Sequence, residues 1–141
     1  MSAVAPARET LADAFRTQAR GCAEAGSTIY AALLPRAAAD LEAGGVFAEI
    51  VADYRGHPML DALPLRVFGA IHGMVLEGRA PQLGAYFPSA GGRFEPDGAW
   101  RELHALARGR RDELRAAAVE RRVQTNEARR SAALLGGFLR I

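Results

Sequence analysis

Lysine is missing altogether: the 18 basic side chains among the 141 residues are all arginine. A genome rich in G and C produces that bias as readily as selection for phosphate binding does, so arginine abundance alone carries no functional weight. Cysteine is nearly missing too. Cys22 stands alone, which excludes an internal disulfide and fits a reducing compartment, the cytoplasm. Its place on an apolar helical face sets core filler ahead of a reactive thiol. Long apolar runs are also lacking, because His72 and several glycines interrupt them well short of the roughly 20 residues a membrane span needs. Residues 1 to 10 lack the basic start and continuous apolar stretch of a secretory signal.

Half of the residues are hydrophobic, enough for a sizeable core, and the length suits one domain over residues 1–141. Net charge is +2 but unevenly spread. Residues 1 to 100 hold 8 Arg against 11 acids, whereas residues 101 to 130 hold 9 Arg against 5 acids. β-branched residues are few, alanine and leucine abundant, and apolar positions recur at three and four. The expectation is an all-α fold, an irregular bundle of about five to seven helices.

Thr10 is expected to cap a first helix, with Asp13 three residues on, Leu11, Phe15, Ala19 and Cys22 as its inner face, and Gly26 as its stop. Ser27 caps a second, in which Pro35 should kink or split the helix before Gly44 and Gly45 end it. Val46 to Tyr54 reads as a short helix. Asp61 then caps a helix over residues 62–77, with Pro64 in its first turn. This is the least polar segment and the expected centre of the bundle, with Leu65, Phe68, Ile71, Val75 and Leu76 on one broad side. Gly69 and Gly73, on its narrow side, suggest close approach of another helix backbone. Gly78 to Gly92 is a long connection with one possible turn at Gln82 to Tyr86. Asp97 is expected to cap a long helix from Gly98 to about Arg121, with Trp100, Leu103, Ala107, Leu114 and Ala118 facing inward.

Few residues offer chemistry. His72 lies on the apolar side of the central helix, where a buried neutral imidazole with one partner competes with a ligand or base. His57 and His104 are isolated, so no metal site is expected. Gln124, Thr125, Asn126 and Glu127, with Arg130 one turn on, form either a helix cap or a polar constellation suited to an anionic group. Ser89 to Gly92 lacks the strand and helix that flank a phosphate loop. Arg108, Arg110, Arg111, Arg115, Arg121 and Arg122 are interleaved with Glu102, Asp112, Glu113 and Glu120 and no aromatics, so a solvated face is expected ahead of nucleic-acid contact. Beyond the polar cluster, Leu134, Leu135, Phe138, Leu139 and Ile141 form an apolar run that ends with the sequence. Such a run asks for cover from the chain itself, from a second copy or from sequence outside these residues.

Several segments carry a family resemblance. Phe15, Gln18, Ala19, Cys22, Gly26, Ser27, Tyr30, Leu33 and Leu34 begin it, and Leu63 to Arg66, Gly69, His72 and Leu76 follow. Gly78 to Pro81, Leu83, Tyr86, Pro88, Gly91 and Gly92 continue it, and Gln124 to Glu127 with Arg130 complete it. In this order they resemble the N-terminal half of an uncharacterised bacterial family, domain of unknown function 2332. The resemblance implies a longer architecture whose C-terminal half looks like a methyltransferase-type α/β domain. This chain would then be its helical cap, inactive alone, with S-adenosylmethionine conceivable only in the longer form. Gln124, Thr125, Asn126, Glu127, Arg130, His72 and Arg66 would be the candidate ligand-binding residues. Two other readings compete: a self-sufficient homodimer joined through the last helix, and a small-molecule site lined by His72, Trp100 and residues 78–92. No membrane association is expected, and nucleic acid ranks last.

Overall fold

A computed structural model describes residues 6–120, and within them the chain is all helical, with no strand. The polar cluster Gln124 to Glu127, Arg130 and the last apolar run lie outside the described residues. Seven α-helices occur among the described residues: α1 (Arg8–Glu24), α2 (Thr28–Glu42), α3 (Val46–Ile50), α4 (Leu63–Leu76), α5 (Pro81–Gly84), α6 (Pro96–Gly109) and α7 (Arg111–Val119). A 3-10 turn, Pro88–Ala90, lies between α5 and α6.

α1 and α2 form the most extensive pairing, joined by a tight turn in which Gly26 takes left-handed backbone. Ser27 caps α2 as expected, its hydroxyl accepting from the Tyr30 amide at 3.2 Å. Pro35 does not split this helix, which runs unbroken from Thr28 to Glu42 with Leu33, Leu34, Ala37, Ala38 and Leu41 all buried. Packing of that face outweighs the one amide that proline lacks.

α4 is the hub, as its composition indicates. The Phe68 ring meets Phe15 of α1 at 6.5 Å, Tyr30 of α2 at 5.6 Å and Phe47 of α3 at 6.1 Å. The buried face takes in His72 and Met74 as the apolar pattern indicates, whereas Leu65, expected on that face, is half-buried and Leu76 is 48% exposed. Among the described residues the expected close approach at Gly73 is not seen, since a Cβ built there would meet nothing within 4 Å.

Three expected caps are placed differently. α1 starts at Arg8, because Arg8 and Glu9 are good helix formers and carry it past Thr10 into the extended backbone of Ala7. Asp61 does not cap α4: its carboxylate accepts from the Tyr54 hydroxyl instead, and Ala62 enters the helix in left-handed backbone. α6 is capped by Glu95, whose two carboxylate oxygens accept from the amides of Asp97 at 2.6 Å and Gly98 at 2.8 Å. Pro96 follows at the first helical position, where its missing amide costs nothing. The single long helix expected to about Arg121 is in fact α6 and α7, broken at Arg110 beside Gly109. The break redirects the chain so that α7 packs on both α3 and α4. Likewise, Val46 to Tyr54 is helical only through Ile50, and the single turn near Gln82 is α5.

Candidate functional site

His72 and Arg66, the two candidate site residues within the described range, both lie on α4, and both are engaged. The Arg66 guanidinium donates to the carbonyl of Ala118 at 3.0 Å and to that of Asp61 at 3.0 Å. It ties the start of α4 to the end of α7, so its charge offsets two carbonyl dipoles rather than waiting for an anion.

His72 is 6% exposed and sits in a chain of three side chains. Its Nδ1 lies 2.9 Å from the Tyr30 hydroxyl and its Nε2 lies 2.9 Å from Ser89 Oγ. The Phe87 ring packs against the imidazole at 5.3 Å, nearly perpendicular to it. The contacts come from two separate parts of the sequence: Tyr30 faces inward from α2, while Phe87 and Ser89 are delivered by the turn after α5. That turn is held by a close approach. Gly92 passes so near the backbone of Gly84 and Ala85 that any Cβ there would overlap it.

Proton directions follow from the partners. A buried phenol must donate its proton to an acceptor, and Nδ1 is the one that Tyr30 has among the described residues. Neutral His72 therefore carries its proton on Nε2 and donates to Ser89. Burial pushes the Tyr30 phenol up and the His72 imidazole down, keeping both neutral at ordinary pH. The chain thus runs from Tyr30 through His72 to Ser89, opposite to the direction in which a histidine takes a proton from a nucleophilic serine. The amides after Ser89 are engaged as well. Ala90 and Gly92 donate to the Phe87 carbonyl at 2.9 Å, and Gly91 donates to that of Pro88 at 2.9 Å. These donors are spent inside the turn rather than on an oxyanion.

Other chemistry-bearing residues also have internal work. Cys22 is buried, and burial raises its thiol. Asp40 accepts from the Phe47 amide at 2.9 Å and from His104 Nε2 at 3.2 Å, joining α2, α3 and α6. The Trp100 ring stacks on Phe47 at 6.0 Å. Of the arginine ladder, Arg111 pairs with Glu49 and Arg115 with Asp53, fastening α7 to α3 and the turn that follows it. Among the described residues no three His, Cys, Asp or Glu side chains gather as metal ligands, and no helix is long and apolar enough to cross a membrane. A groove of about 410 Å³ opens elsewhere, between Thr10, Asp13, Ala14 and Thr17 of α1 and the turn Gly56 to Met59.

The roles of Tyr30, Asp40, Ser89 and Glu95 escape sequence reasoning. Tyr30 and His72 are 42 positions apart, and no local pattern signals their pairing. Glu95 was the most accessible, since an acidic residue directly before proline and three before a glycine amide is a workable cap.

The family model described as "Uncharacterized protein conserved in bacteria (DUF2332)" matches residues 12–141. The chain belongs to that family. No curated protein and no solved structure matches this DUF2332 chain.

Proposed function

We propose that the chain is a non-catalytic helical accessory domain, the cap of a methyltransferase-like protein, with no turnover by itself. One observation carries this reading: His72, the most promising candidate for chemistry, is buried and held in a side-chain network, its Nδ1 2.9 Å from the Tyr30 hydroxyl and its Nε2 2.9 Å from Ser89 Oγ. Arg66, spent on two carbonyls, agrees with it. S-adenosylmethionine would belong to the longer form, and Gln124 to Glu127 with Arg130 would be this chain's contribution to the shared ligand. A lone buried thiol supports the cytoplasm as its compartment.

The test is calorimetric titration of the purified chain with S-adenosylmethionine, repeated on a longer DUF2332 protein. The expected outcome is no heat of binding for the short chain and saturable binding for the long one. Binding by the short chain alone would overturn the reading.

A second reading, a small-molecule-binding bundle, is favoured by the groove beside α1, whose volume falls within the range of ligand pockets. It predicts a rise in melting temperature with some member of a metabolite screen, lost on Asp13→Asn. A homodimer joined through the last helix is distinguished from both by equilibrium sedimentation.

A further inference from the structure

α7 is shallowly seated on the bundle. Of its nine residues, Leu114 and Ala118 are buried, against eight of fourteen in α4 and six of fifteen in α2. A helix this short is marginal in water without its packing, and Arg110 gives it no side-chain cap. Polar ties supply much of the rest. Arg111 meets Glu49 of α3 at 3.1 Å, Arg115 meets Asp53 in the turn after α3, and Glu113 meets Arg79 in the turn after α4 at 2.6 Å. All six side chains are more than a third exposed, so each pair is weak by itself and screened by salt. The fourth tie is Arg66, which donates across to the Ala118 carbonyl at 3.0 Å. Each tie runs from α7 to another element, so lifting the helix breaks them together. The joint lies at Arg110, where the helix axis breaks, beside Gly109, whose Cβ position is open among the described residues. The core is closed without α7: the α1–α2 pairing and the rings around Phe68 use none of its residues.

We propose that α7 is a salt-released arm: it lifts and melts as a unit about Gly109 and Arg110 while the rest of the described bundle stays folded. Lifting frees the Arg66 guanidinium from the Ala118 carbonyl and uncovers the parts of α3 and α4 on which α7 packs. It also moves Glu120, where the described chain leaves the bundle. The arm thus couples the one candidate ligand-binding arginine on α4 to the path of the chain beyond α7. It does not depend on the accessory-domain reading.

Native-state hydrogen exchange on the full chain, read by nuclear magnetic resonance, tests it. Protection factors at the amides of residues 114–118 should be alike and about tenfold or more below those of residues 68–75 in α4. They should respond little to low urea, because lifting nine residues exposes little surface. Raising sodium chloride from about 0.02 M to about 0.5 M should lower them about threefold or more. Arg66→Gln should lower them about tenfold. Ser27→Ala, which removes the α2 cap, should lower protection in α4 about fivefold and leave 114–118 unchanged, since α2 stays folded while α7 lifts. Residues 114–118 that match α4 in protection, in urea response or in loss on Ser27→Ala overturn the proposal, because α7 would then open only with the whole bundle. Protection that climbs steadily from 118 back to 114 is the mark of a fraying end and overturns it too, as does indifference to salt or to Arg66→Gln. Should either variant fail to fold, the urea and salt responses of the unmodified chain still decide.

Discussion

Ala62 holds left-handed backbone, φ 52° and ψ 43°, at the entrance to α4. That region costs an L-residue about 1–2 kcal/mol, partly offset in glycine by its greater unfolded-state freedom. Ala62→Gly should therefore stabilise the chain by up to about 1 kcal/mol, read as a higher urea midpoint with an unchanged slope. The strain explains why sequence reading placed the start of α4 well and its cap badly. Ser27 was legible as a cap because its donor, the Tyr30 amide, lies three residues away. Asp61 was not, because the hydroxyl that claims it belongs to Tyr54, on the far side of a turn. His72 was legible as a buried imidazole but not in its bonding, since Tyr30 and Ser89, which it meets among the described residues, arrive from other elements. Where the deciding partner is local, a cap can be read from sequence; where it comes through tertiary packing, only the element itself can.

Among the elements, α6 and α7 show how a cap and a break together position a face. Glu95→Ala should cost about 1 kcal/mol of stability by leaving two first-turn amides without their carboxylate, measured by chemical denaturation. Asp97→Ala, at the residue that sequence reading favoured, should cost less, since among the described residues its carboxylate forms an exposed pair with Arg36 and no cap. Equal losses at the two positions would contradict the observed cap. The inward positions Leu103, Ala107, Leu114 and Ala118 were all legible and are all buried. Their periodicity nonetheless concealed the division at Arg110, because the helical phase resumes after one irregular residue. A pattern of apolar spacing records which side faces the core, and it records poorly whether the axis stays straight.

For the whole molecule, three buried groups define a pH window of stability. His72 is held below its ordinary 6.5 by burial, so the unfolded chain binds more protons between the native and ordinary values. Its contribution is complete above 6.5 and is lost as pH falls through the native value. Cys22 and Tyr30 are raised by burial above their usual 9.0 and 10.0, so their contributions are complete below those values and lost as pH climbs through the native ones. Thermal melts across pH should trace a dome with its plateau between about 6.5 and 9. The loss just below 6.5 should vanish in His72→Gln if that variant folds, while Glu42 and Glu113, held below their ordinary values by the hydrogen bonds of Arg16 and Arg79, still lose their contributions at lower pH. Salt, by contrast, should matter little. Arg16–Glu42, Arg79–Glu113, Arg111–Glu49 and Arg115–Asp53 are largely exposed pairs, so raising ionic strength should shift unfolding free energy by less than about 1 kcal/mol per pair.

The passage of Gly92 over the backbone of Gly84 and Ala85 sets a rule for variation. A clash with backbone cannot be relieved by turning a side chain, so any replacement at 92 must push the strand of chain from 84 to 93 apart. In a saturation library screened for folded protein, position 92 should accept glycine almost alone, while the neighbouring Ser89, exposed and bonded through one atom, should accept several residues. A glycine that looks like loop filler would then be among the least replaceable letters of the chain.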